Sequence, residues 1–71
     1  MNTEKYQLFC QEVRNLRAKY PYYREGIILY NALCVVDTNL ADQLHNLSPF
    51  HNDDKIPAFL DAIADRASQL A

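Results

Sequence analysis

From Tyr6 onward the apolar residues Tyr6, Phe9, Val13, Leu16 and Tyr20 recur at intervals of three, four, three and four. Only a helix places such a series on one face, because a strand would need alternation in twos. The spacing predicts an amphipathic helix over residues 3–19, with one stripe turned to a core. Asn2 or Thr3 can accept from the first unpaired backbone amides, and Tyr20, ahead of Pro21, is pushed toward the extended geometry that ends a helix. The same periodicity returns near the other end. Ile56, Phe59, Leu60, Ile63, Ala67 and Leu70 fall at helical spacing, with Asp61, Asp65, Arg66 and Gln69 left for water, so a helix is predicted over residues 55–70.

Two further helices are expected between them. Over residues 22–36, opened by Pro21 near its first turn, Ile27, Tyr30, Leu33 and Cys34 read as the inward face. Ile28, Leu29, Val35 and Val36 make this segment apolar almost all round, which marks a helix that is central or covered by a partner. Gly26 is the only glycine of the chain. Glycine disfavours helix by about 1 kcal/mol relative to alanine, so its early position implies close approach of another helix. Asp37 can cap a short third helix over residues 38–46, with Leu40, Ala41, Leu44 and Leu47 as its apolar positions. Strand alternation, internal repeats and linkers are all missing. The expected fold is all-α: a small antiparallel bundle of three to four short helices forming one domain, residues 1–71.

The chain is short, at 71 residues. A core of this size rarely supplies more than roughly 3–5 kcal/mol without a staple, a metal, very good helix packing or a second chain. Association is therefore expected, and a homodimer is one form of it. Cys10 and Cys34 are too few for a disulfide framework, and the residues after Met1 lack the basic-then-apolar pattern of a signal peptide. Both features suit a reducing, cytoplasmic setting. No apolar stretch approaches the ~20 residues that cross a bilayer, so no membrane partner is expected. The formal net charge is −2, unevenly spread. As far as Gly26, five cations face three glutamates; from Ile27 onward, six aspartates face Lys55 and Arg66. Wholesale phosphate binding needs clustered cations, and this distribution argues against it.

Chemistry is sparse. In the segment from Ser48 to Leu60, His51, Asp53 and Asp54 could reach one ion, with His45 as a fourth ligand, but the spacing matches no zinc or calcium motif. The structural reading is stronger. Asp53 or Asp54 caps the last helix at its positive end, Pro57 falls in the first turn where no hydrogen bond is lost, Ser48 and Pro49 start the preceding turn, and Phe50 plugs the loop against the core. No metal or cofactor is expected. Neither cysteine, paired with His45 or His51, has a visible orienting group, and both sit in apolar helical stretches where thiols are usually inert. No catalytic residue is assigned and the protein is read as a non-enzyme. Arg14, Arg17, Tyr20, Tyr22, Tyr23 and Arg24 form the candidate partner-binding cluster. Arginine and tyrosine are enriched at protein interfaces, and the same face could touch phosphates and stack on bases.

The stretches "YREGIILYNAL", "DTNLADQL" and "SPFHNDDKIPAFLDAI" resemble a family of small uncharacterised proteins encoded by tailed phages and prophages. Its pattern is roughly R-x-G-Q-A-x-x-N-x-L, then D-P-x-L-A, then R-G-T-x-x-D-P-F-Y-x-D-x-x-I-P-x-F. Arg24, Gly26, Asn31 and Leu33 match the first part, Asp37, Leu40 and Ala41 the second, and Pro49, Phe50, Asp53, Ile56, Pro57 and Phe59 the third. Thr38 replaces a proline, "HNLS" stands where Arg-Gly-Thr is expected, and His51 takes the tyrosine position. The resemblance implies a helical scaffold and a phage setting, hence a host-cell cytoplasm, but no reaction. The leading expectation is a non-catalytic phage-type accessory protein that binds a host protein, as an inhibitor of a host process or defence system. A small DNA-binding regulator using the Arg14 to Arg24 face ranks second, and a metal-dependent function at His51, Asp53 and Asp54 third.

Overall fold

The computed structural model describes residues 3–69, with side chains as far as Ala67. Among the described residues four helices form: α1 (Thr3–Lys19), α2 (Glu25–Val36), α3 (Thr38–Gln43) and α4 (Ile56–Gln69). Two short 3₁₀ turns, His45–Leu47 and Asp53–Lys55, lie between α3 and α4. The described residues contain no strand, and the all-α expectation holds. Asn2 as a cap, Leu70 as a core position and Gln69 as a wet one fall outside what is described.

One core cluster joins all four helices. Phe9 and Val13 of α1 meet Ile28, Leu29, Ala32 and Leu33 of α2, Leu40 and Ala41 of α3, Leu44, and Phe59 and Ile63 of α4. Leu33, Phe59 and Ile63 are fully enclosed, and each such side chain contributes about 1.5–3 kcal/mol by leaving water. No buried side-chain polar atom among the described residues lacks a hydrogen bond, so this burial carries no uncompensated polar cost. α2 sits at the centre, packed on α1, α3 and the Asp53–Lys55 turn. Its apolar circumference is thus largely used up inside the chain.

The face that α2 turns inward differs from the expected one. Ile28, Leu29, Ala32 and Leu33 are buried, while Ile27, Tyr30 and Cys34 are only half-buried. A helix apolar on every side has no periodic contrast to choose a face, so its neighbours choose it. α2 also begins at Glu25 rather than near residue 22, because Arg24 is extended (φ −65°, ψ 152°) and Pro21 to Arg24 form a turn instead of a first helical turn. α3 is shorter than expected. It ends at Gln43, and His45–Leu47 tightens into 3₁₀ geometry with Leu47 exposed. In α4, Leu60 points outward, and Arg66 is half-buried and donates to Gln43 Oε1 at 2.9 Å, where water had been expected to take it.

Gly26 is explained by a loop and not by a helix. A Cβ at this position would stand 2.5 Å from Asp53 Oδ1 and 2.9 Å from the Pro49 carbonyl carbon, and closer still to the Pro49 carbonyl oxygen. Its φ is not positive. What the position demands is space.

Candidate functional site

The turn "YPYYREG" carries the expected cluster. α1 stops where Tyr20, ahead of Pro21, can no longer stay helical, and the Tyr23 amide closes the turn on the Tyr20 carbonyl at 3.1 Å. The three tyrosine rings pack on one another. Tyr20 and Tyr23 stack at 5.1 Å with planes 10° apart, and Tyr22 stands edge-on to Tyr23 at 5.0 Å and 85°. Lys19 Nζ lies 5.5 Å from the Tyr20 centroid, within cation–π range. Tyr22 is 75% exposed and Tyr23 42%, so an apolar, hydroxyl-tipped knob projects from the junction of α1 and α2.

Its flanking arginines are occupied. Arg17 clamps the Glu25 carboxylate with two parallel bonds, Nε to Oε2 at 3.0 Å and Nη2 to Oε1, tying the end of α1 to the start of α2 across the turn. The hydrogen bond to Glu25 raises the Arg17 pKa above its ordinary value, against an opposing effect of burial, so the clamp stays charged. Arg24 reaches the other way. Its Nη1 donates to Asp53 Oδ1 at 3.0 Å and its Nη2 to the Phe50 carbonyl at 2.7 Å. The structure therefore brings Tyr20, Tyr22 and Tyr23 together as one surface, and uses Arg17 and Arg24 to brace it. Arg14 is exposed and joins no ion pair among the described residues.

The loop at 48–55 departs from its expected role at one point. Asp53 Oδ1 accepts the Gly26 amide at 3.2 Å, so its carboxylate serves the start of α2 rather than the start of α4. Asn52 accepts the Asp54 amide at 2.9 Å and opens the 3₁₀ turn that leads into α4, leaving Asp54 exposed with no cap to make. The N-terminus of α2 has no side-chain cap from Arg24, and the Gly26 amide there is the one that Asp53 meets. Other parts of the expectation hold. Pro57 occupies the first turn of α4, Pro49 is fully buried, and Phe50 packs edge-on against Tyr30 at 6.0 Å. Arg24, Gly26, Pro49, Phe50 and Asp53, five residues on which the phage-family resemblance rests, meet in this single clasp.

His51, Asp53 and Asp54 do not converge. Among the described residues no group of three or more histidines, cysteines, aspartates or glutamates is placed to hold a metal ion. His51 lies against Phe50, and His45 Nδ1 bonds the Asp42 carbonyl at 3.0 Å. Cys10 and Cys34 are free thiols, and among the described residues no hydrogen bond links either to a histidine. Cys34 instead sits beside Tyr30, whose phenol pKa is raised first by burial and then by the Cys34 thiol and Asp42.

Sequence reasoning missed Asp53 as a long-range cap, and one signal for it was present. A lone glycine at the second position of a helix asks what passes close to it. No described helix is long and apolar enough to cross a membrane. No protein-family model matches the chain, and no curated protein or solved structure matches it at a significant level.

Proposed function

We propose that this is a non-catalytic accessory protein of phage type that works by binding a host protein, with the Tyr20, Tyr22 and Tyr23 knob as the contact surface. One observation carries the reading: the three rings are stacked before any partner arrives, yet Tyr22 and Tyr23 stay exposed. Tyrosine offers large amphipathic contact area with only two side-chain torsions to freeze, and rings already packed together lose little freedom on docking. The two ion-pair braces hold the turn from both sides. A nucleic-acid partner is less well supported, because phosphate binding needs cations to spare and Arg17 and Arg24 are committed to carboxylates.

The test compares the tagged wild-type chain with the double variant Tyr22→Ala/Tyr23→Ala in phage-infected host cells, using mass spectrometry of what co-purifies. A protein recovered with the wild type and lost with the variant, at unchanged helicity, is the expected result. Recovery of the same protein by both, or of the bait alone from each host, removes the proposal's support.

A further inference from the structure

Behind Phe50 lies a concave surface that shares no residue with the tyrosine turn. It is a cleft of about 350 Å³, at the lower end of the ~300–1,000 Å³ typical of small-molecule sites. Its wall is a chain of rings. Tyr30 meets Phe50 edge-on at 6.0 Å, and Phe50 meets His51 edge-on at 4.9 Å. Tyr30 is fixed from behind by Phe59 at 6.3 Å, so the wall is anchored to the core.

The polar part of the lining has a bias. Ser48 Oγ accepts the Phe50 amide at 3.2 Å and Asn52 Oδ1 accepts the Asp54 amide at 2.9 Å. Each bond uses one lone pair, and the serine O–H and the Asn52 NH₂ keep their protons to donate. Lys55 Nζ gives one proton to the Asn46 carbonyl at 3.3 Å and retains two. His45, also in the lining, donates through Nδ1 to the Asp42 carbonyl, which leaves Nε2 of the neutral ring as an acceptor. Among the described residues no carboxylate lines the cleft, although Asp42 lies near enough to Tyr30 to help raise its phenol pKa. Aromatic rings beside a lysine that keeps two protons to donate suit a planar ring that carries a negative charge.

We infer that this cleft, bounded by Tyr30, Phe50, His51, Asn52 and Lys55, binds a small aromatic anion of the nucleoside monophosphate class, the base against the rings and the phosphate toward Lys55 and Asn52. Because the site is separate from the tyrosine knob, it stands whether or not a host protein docks there.

The experiment is an NMR titration of the ¹⁵N-labelled chain with adenosine monophosphate, and separately with adenosine and with inorganic phosphate. Saturable shifts of the Phe50, His51, Asn52 and Lys55 amides by the monophosphate, with each half-ligand binding at least about tenfold more weakly, are the expected result. Lys55→Met should weaken the monophosphate about tenfold through loss of a charged donor, and His51→Ala about fivefold through loss of a stacking face. Both side chains are exposed, and an otherwise unchanged spectrum certifies the fold of each variant. Absence of saturation at millimolar ligand, shifts confined to other residues, phosphate alone matching the monophosphate, or undiminished binding by both variants would each overturn the inference.

Discussion

The starts of α2 and α3 solve the same problem in opposite ways. Every helix leaves its first amides without intrahelical partners. At α3 the answer is local: Asp37 precedes the helix and accepts the Leu40 amide at 3.1 Å, three residues along. At α2 the residue in that place, Arg24, makes no side-chain cap, and the acceptor is Asp53, 27 residues away from Gly26 in sequence. The local cap is a matter of side-chain type at one offset. The distant one requires a loop to arrive, a glycine to admit it, a proline to be buried beneath it and an arginine to hold the carboxylate in place. A helix start built from two segments far apart in sequence is correspondingly exposed to single changes.

Gly26→Ala should break the contrast most sharply. Helix propensity alone makes alanine better than glycine by about 1 kcal/mol. The added methyl would meet the Pro49 backbone, which cannot rotate away as a flexible side chain would, so a net loss of about 2 kcal/mol or more is expected in urea unfolding. A gain in stability would show that the loop does not press on α2. Asp53→Ala comes next, at about 1.5 kcal/mol, because it strips the Gly26 amide of its side-chain acceptor and leaves Arg24 only the Phe50 carbonyl. Hydrogen exchange should then quicken at Gly26 and Phe50 together. Asp37→Ala should cost about 1 kcal/mol and quicken exchange only around Leu40, and spread of that effect to the 48–55 loop would erase the distinction between local and distant caps.

Alkaline pH probes the distant start from behind, since Tyr30 supports Phe50. Burial raises the Tyr30 phenol above its ordinary 10.0, so above that pH the unfolded chain releases the proton first and the folded form loses stability as pH rises. Tyr30→Phe should flatten that decline, and an unchanged slope would remove Tyr30 from the account. Smallest of all should be Glu25→Gln, below about 0.5 kcal/mol, because the Arg17 pair is surface-exposed and screened. Its readout is salt dependence, which the variant should reduce.

The candidate site was only partly legible. Tyr20, Tyr22 and Tyr23 stand within four residues around Pro21, so their proximity needed no tertiary information. Arg17 and Arg24 looked available because a sequence does not say which carboxylate a long side chain will find. Asp53 was recognisable as a capping residue, but its nearest helix in sequence was not its nearest in space. The cleft behind Phe50 draws its wall from α2 and from the 48–55 loop, segments that only the completed fold brings together.

By itself, the sequence determined the helices and their punctuation. Side chains at three-and-four spacing, Asp37 at a helix start and prolines at turns all act on backbone within one or two helical turns, where offset alone sets geometry. Tertiary structure alone decided which side of α2 is buried, what Gly26 must accommodate and which helix Asp53 caps. An evenly apolar helix has no preferred face, and a carboxylate on a loop bonds whichever unpaired amide packing delivers to it.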